Sequence, residues 1–136
     1  METKEFQTEW CLLQNQFDSY EKHSLYIKLL SISVLLVSEV FGLASFLGVL
    51  LLLALWLQDG IWKTFQSRIE TRLLKVEKHI AEGSGSSAFQ FNREFNTVRL
   101  SGLSLIKEYL RQSIRPTVAF PHAVLIAILL TRCFLV

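Results

Sequence analysis

Leu29 to Leu57 is a run of 29 residues carrying a single charge, Glu39. As an α-helix rising about 1.5 Å per residue it extends about 43 Å, well beyond the roughly 30 Å hydrocarbon core of a bilayer. One strongly tilted helix is a possible reading. Two short spans fit better, because Glu39 and Gly42 fall where a tight turn belongs. An ionised Glu in mid-bilayer costs at least about 2.5 kcal/mol, and a turn at the far surface removes that cost. The first span then covers about Ser24 to Ser38, with Lys28 reaching back to the near surface, and the second about Val40 to Leu57. Trp56 and Trp62 suit the interface where the second span ends. Glu39 as an ion-pathway residue is the competing reading. The composition agrees with a membrane chain: 51% of the residues are hydrophobic and only two are proline.

Before this run, Phe6, Trp10, Leu13, Phe17, Tyr20, Ser24 and Ile27 alternate at spacings of four and three, a heptad seam. The phase of Trp10 and Phe17 continues onto Ser24, Ser31 and Ser38. Large apolar knobs drive packing in water, whereas small residues let backbones approach in lipid. One stripe that changes from aromatics to serines suits a helix passing from water into bilayer. Gly42, Ala44, Ser45 and Gly48 add small residues to the turn and second span. Together with Ser31 and Ser38 they are the expected helix-packing or oligomer interface.

After the run, Trp62, Phe65, Ile69, Leu73, Val76 and Ile80 form a second seam, with Lys63, Arg68, Arg72, Lys75 and Lys78 assigned to the polar face. A turn near Phe41 sets Tyr20 against Trp62, Phe17 against Phe65, Leu13 against Ile69 and Phe6 against Val76. Trp10 then falls opposite Arg72 and Leu73. The predicted fold is therefore an all-α membrane protein. A transmembrane hairpin extends into a cytoplasmic antiparallel coiled coil, and a third transmembrane helix follows near the C-terminus. The alternative is that either amphipathic stretch lies flat on the membrane. The expected segments are an amphipathic helix over 1–23, the two-span hairpin over 24–57 and a cytoplasmic helix over 58–82. A linker over 83–88, a cytoplasmic helical segment over 89–115 and a third span over 117–136 complete the chain.

Gly83-Ser84-Gly85-Ser86-Ser87 stops the second arm, with Gly83 as a left-handed cap. Ser101 is expected to cap a helix running to about Ile114, with Leu103, Ile106, Leu110 and Ile114 on one face. Pro116 ends it, and Pro121 is expected in the first turn of the last span. Arg132 would snorkel near the far end. The alternative for the last segment is a helix that dips in without crossing. Gln58 to Arg115 carries ten Lys or Arg against six acidic residues, and the Glu39 turn carries no basic residue. The positive-inside rule places that segment and the N-terminus in the cytoplasm.

The charge is explained by topology, so nucleic acid is not an expected partner. The expected partners are the lipid bilayer and a second copy or another membrane protein. Anionic lipid contact by the basic segment is open. No Walker loop, GxGxxG, HExxH or GxSxG occurs. Cys11 and Cys133 show no CxxC spacing, and His23, His79 and His122 are far apart. No catalytic residue, metal site, cofactor or small-molecule substrate is expected, and no cleavable leader is evident. His122 is read as an interfacial residue, with a proton-handling role as the alternative. Asp59 is the most notable acid, expected to pair at the membrane exit with Lys63 one turn on, or with Lys28 or Lys22 across the hairpin.

The stretch Leu55-Trp56-Leu57-Gln58-Asp59-Gly60 precedes a charged helix rich in Arg and Glu. It resembles a pattern in small bacterial inner-membrane proteins, whose two-span hairpin ends in a Trp-x-x-Asp exit. The architecture over roughly Phe6 to Ile80 is also similar to the two-transmembrane SLATT proteins, regarded as pore-forming effectors of bacterial conflict systems. Trp56 and Asp59 carry the resemblance, and it supplies no catalytic residue. The third span departs from the two-span plan. Two expectations follow. The first is a non-enzymatic, oligomerising scaffold or accessory subunit of the bacterial inner membrane. The alternative, implied by the resemblance, is a pore-forming effector of a defence or toxin system.

Overall fold

The computed structural model describes residues 2–83 and 87–135. The linker at 84–86, both terminal residues and the side chain of Cys133 lie outside the described residues. The described chain is all-helical: α1 (Glu2–Phe41), α2 (Ser45–Glu82), α3 (Phe91–Thr97), α4 (Leu103–Ser113) and α5 (Pro116–Leu135). α1 and α2 are long and apolar enough to cross a membrane. α4 and α5 reach that standard together, as a pair bent by 74° at the Ile114–Arg115 break.

α1 and α2 pack antiparallel along their length. At the outer end Phe6 lies 5.5 Å from the His79 ring, and midway Tyr20 lies 5.0 Å from Trp62. Phe6, Leu13, Ile69, Leu73 and Val76 form the buried core of the charged half, with Trp10, Phe17 and Tyr20 half-buried against it. Burial of this seam is what stabilises the charged half, at roughly 1.5–3 kcal/mol per fully buried large side chain. Phe65 sits beside Trp62, with ring centres 6.4 Å apart.

The turn lies beyond the expected point. α1 runs through Val40 to Phe41, and α2 begins at Ser45 rather than Val40. Gly42 adopts φ 63°, and the Leu43 N–H reaches back to the Ser38 carbonyl, 3.2 Å away. This is a Schellman-type closure, which needs a residue that tolerates positive φ after the last helical turn. Glu39 therefore belongs to the last turn of α1, not to the loop. Register at the outer end shifts too. Trp10 Nε1 donates to Glu77 at 2.9 Å, four to five residues beyond its expected neighbours. Helical side chains lean toward their own N-terminus. On α1 that lean points away from the turn, so each α1 side chain meets α2 farther out.

α4 starts after Gly102, at φ 58° and ψ −131°, without a side-chain cap, so Ser101 does not cap it. A side chain at Gly102 would oppose that backbone conformation. Pro116, not Pro121, takes the first position of α5. Pro121 lies inside the helix and cannot donate to the Thr117 carbonyl four residues back. α5 packs in the groove between α1 and α2, and α4 crosses α2 near Gly60. A Cβ at Gly60 would lie 1.9 Å from Ser113 Oγ, so glycine is what permits the close crossing.

Candidate functional site

Three helices bring polar side chains to one buried point. Ser24 comes from the serine stripe of α1, Asp59 from α2 one turn beyond Trp56, and His122 from α5. All three are buried. Ser24 Oγ donates to Asp59 Oδ1 at 2.5 Å. His122 Nε2 lies 3.2 Å from Asp59 Oδ2 and is the donor of that bond when the carboxyl is ionised. Lys28 stands 3.7 Å from the same oxygen and donates to Ser24 Oγ at 3.2 Å. Trp56 stacks on the His122 ring at 6.2 Å and 10°, and its Nε1 donates to the Ser113 carbonyl at 2.8 Å. One aromatic thus ties α5 to the end of α4.

The second nitrogen of His122 faces Ser31, 3.4 Å from its Oγ. Ser31 Oγ also lies 2.9 Å from the Ile27 carbonyl. With a neutral imidazole protonated on Nε2, the hydroxyl can turn toward Nδ1. With an imidazolium, Nδ1 donates and the hydroxyl turns to Ile27. A hydroxyl has one hydrogen and two acceptor sites, so Ser31 serves either state by rotating. Ser31 can therefore pair with the Nδ1 edge of the ring whether that nitrogen accepts or donates.

Toward the helix turn, the site is closed. Leu35, Leu52 and Leu129 form a buried apolar layer, flanked by Val34, Val49, Leu125 and Ile126. Gly48 admits α5 here: a Cβ would lie 2.7 Å from Leu129 Cδ2 and 3.2 Å from Ser38 Oγ. Beyond the layer, Arg132 pairs with Glu39 at 2.7 Å. This level, near the α1–α2 turn, is the last ionic contact between α5 and the hairpin.

A second polar cluster lies in the charged half. Arg72 Nε donates to Glu9 Oε1 at 2.8 Å, Nη2 to Glu9 Oε2 at 3.1 Å, and Nη1 to Glu94 Oε1 at 2.6 Å. Lys75 adds a bond to Glu94, and the Phe89 N–H donates to Glu9 Oε2 at 2.7 Å. Burial disfavours the charged guanidinium, but the Glu9 hydrogen bonds and the charges of Glu9 and Glu94 outweigh it and raise the Arg72 pKa. Arg72 is thus buried, contrary to its assignment to the solvated face, because Glu94 folds back from beyond the linker to cover it.

Asp59 does not pair with Lys63. Lys63 turns to Glu21 at 2.7 Å and to Gln66 at 2.9 Å. Among the expected interface residues, Ser31, Ser38 and Gly48 are buried between helices of this one chain, Ser45 is half-buried, and Gly42 and Ala44 are exposed at the turn. His122 is the residue that sequence reasoning missed. The sequence reading assigns it to the interface, away from Asp59 and Ser24. The only signal was a histidine inside an apolar run, with Asp59 and Ser24 equally out of place. Among the described residues no group of three His, Cys, Asp or Glu could hold a metal. A half-open cleft of about 260 Å³ lies between α2 and the α3–α4 segment, with Arg68 over the Phe95 ring at 4.5 Å.

Compared with known proteins, the chain matches no family model, no curated protein and no solved structure.

Proposed function

We propose that this chain is a non-enzymatic scaffold or accessory subunit of a bacterial inner membrane. α1 and α2 cross as a hairpin, and α5 crosses beside them with Arg132 at the far surface. The charged half of the hairpin projects into the cytoplasm as an antiparallel coiled coil and is the docking surface for a second copy or a partner protein. One observation carries this reading: the buried polar side chains of the apolar half satisfy one another, and exposed Ser33 bonds back to its own helix at the Leu29 carbonyl. Ser24, Ser31, Asp59 and His122 do so at one end, and Leu35, Leu52 and Leu129 seal the path beyond them. The outward surface of that half is apolar, with Leu29, Leu36, Phe46, Leu50 and Leu53 exposed. Such a surface suits lipid, and a sealed interior gives ions no route through a single chain.

The pore-forming alternative needs several copies to surround water with these apolar faces. The test is particle mass in mild detergent, combined with ion flux across liposomes carrying the full chain. The expected result is one or two copies and no leak at any protein-to-lipid ratio. A closed ring of several copies that conducts ions overturns the proposal.

A further inference from the structure

α4 presents two surfaces that its own chain uses differently. At about 100° per residue, Leu103, Ile106, Leu110 and Ile114 fall on one face. They are 52–84% exposed, which decides that no packing among the described residues buries them. The adjoining face, with Tyr109 and Ser113, packs on α2 at Gly60 and Trp56. Lys107 and Arg111 follow the apolar face on the side away from α2. Glu108 and Gln112 lie opposite the apolar face, hydrogen-bonded to each other at 2.9 Å. α4 also meets α5 at 74°. If α5 runs along the membrane normal, α4 lies close to the membrane plane.

These four directions match the layers of a membrane surface. The apolar face lies opposite Glu108, which lines the cleft beside the charged half of α2, and Phe120 in the first turns of α5 is exposed as well. Lys107 and Arg111 point sideways, at headgroup level. Glu108 and Gln112 point the other way, Glu108 into the cleft beside Thr64 and Arg68 and Gln112 into a buried position. Arg111 has only a long contact to Glu108, at 3.6 Å, and Lys107 makes no ion pair among the described residues. Arg115 lies just beyond the helix and bonds Gln112 at 3.1 Å. An amphipathic helix with a basic flank binds a membrane by burying its apolar face and pairing its cations with anionic lipid.

We infer that α4 is an in-plane helix that binds anionic phospholipid headgroups through Lys107, Arg111 and Arg115, with Leu103, Ile106, Leu110 and Ile114 buried in the inner leaflet. This rests on the membrane reading above and adds a lipid class and a site to it.

The test uses the full chain with Cys11→Ser and Cys133→Ser, reconstituted in phosphatidylcholine vesicles containing one third phosphatidylglycerol. A bimane probe is placed at Leu110→Cys, and at Leu36→Cys on α1 as the control for insertion. The expected result at Leu110 is quenching by lipids spin-labelled near the headgroup and protection from aqueous iodide. Spin-labelled phosphatidylglycerol should quench it at least about twofold more strongly than the phosphatidylcholine analogue, a preference abolished in K107Q/R111Q/R115Q. Iodide quenching at Leu110 with lipid quenching retained at Leu36 overturns the in-plane helix alone. Loss of lipid quenching at both positions overturns the membrane reading itself. Equal quenching by the two lipids before any charge is removed overturns the anionic preference.

Discussion

The two polar clusters occupy the same pair of helices and are built by opposite means. In the charged half, Arg72 is held by two carboxylates, Glu9 and Glu94, and by little else. In the apolar half, Asp59 is held mainly by a hydroxyl and an imidazole, with Lys28 at the longer distance of 3.7 Å. The stripe of α1 changes with them, from Phe6, Trp10 and Phe17 to Ser24, Ser31 and Ser38. Full ion pairs suit a site that water can partly reach, because desolvating two charges is expensive where it cannot. Where packing is dry, one charge shared among neutral donors keeps every lone pair satisfied at lower cost. The first cluster is held by charge, the second by hydrogen-bond geometry.

The largest expected effect follows from that contrast. Arg72→Ala strands Glu9, a buried carboxylate, with only the Phe89 N–H as donor. Removing one partner of a buried pair costs about 3–5 kcal/mol. The variant is expected to lose that much stability in chemical unfolding of the detergent-solubilised chain, and to release α3 to proteolysis first. A loss below about 1 kcal/mol would place the Arg72 cluster among surface ion pairs and remove the contrast.

His122→Phe tests the other side. The aromatic ring is kept for the stack on Trp56 and is somewhat larger, but both nitrogens go. Asp59 loses one donor in a dry site, expected to cost about 1–3 kcal/mol. Thermal unfolding should show a smaller drop than for Arg72→Ala, with hydrogen exchange rising in α5 before α1. A drop larger than that of Arg72→Ala would mean that His122 carries charge in the folded state, and the two clusters would then be of one kind.

How much of this was legible depends on whether a feature is local in sequence. The all-helical plan and the two long apolar helices are written in periodicity, with Phe6 to Ile27 and Trp62 to Ile80 each keeping a helical repeat. The positive φ of Gly42 is signalled by a glycine between apolar residues, although the turn falls beyond Phe41 because the Schellman closure consumes residues to Leu43. Asp59 stood out as an acid beside a tryptophan. Its partner His122 is 63 residues away. That meeting depends on α5 entering the groove over Gly48 after α4 has crossed α2 at Gly60, which no repeat encodes. Arg72 was misplaced for the same reason. Its phase borders the seam, and only Glu94, across the linker, makes burial tolerable.

The smallest expected effect lies between the two clusters, at Glu21, and it tests where the change of principle falls. Burial pushes this carboxyl up, but hydrogen bonds from Lys63 and Gln66 and the charges of Lys63 and Lys28 prevail and hold its pKa below the ordinary value. A carboxylate depressed in the folded state adds stability above its unfolded pKa and loses it as pH falls through the folded one. The contribution should be intact at neutral pH and fade only below the usual carboxylate range. The Glu21 side chain is 52% exposed, so solvent screening keeps the effect within about 0–1 kcal/mol. Unfolding of the parent and Glu21→Gln proteins, compared from neutral pH to about pH 3, should show a small gap that closes on acidification. Added salt should narrow it as well, since exposed pairs are screened. A gap that widens in acid would reverse the sign and mean that burial, not the bonds from Lys63 and Gln66, governs Glu21.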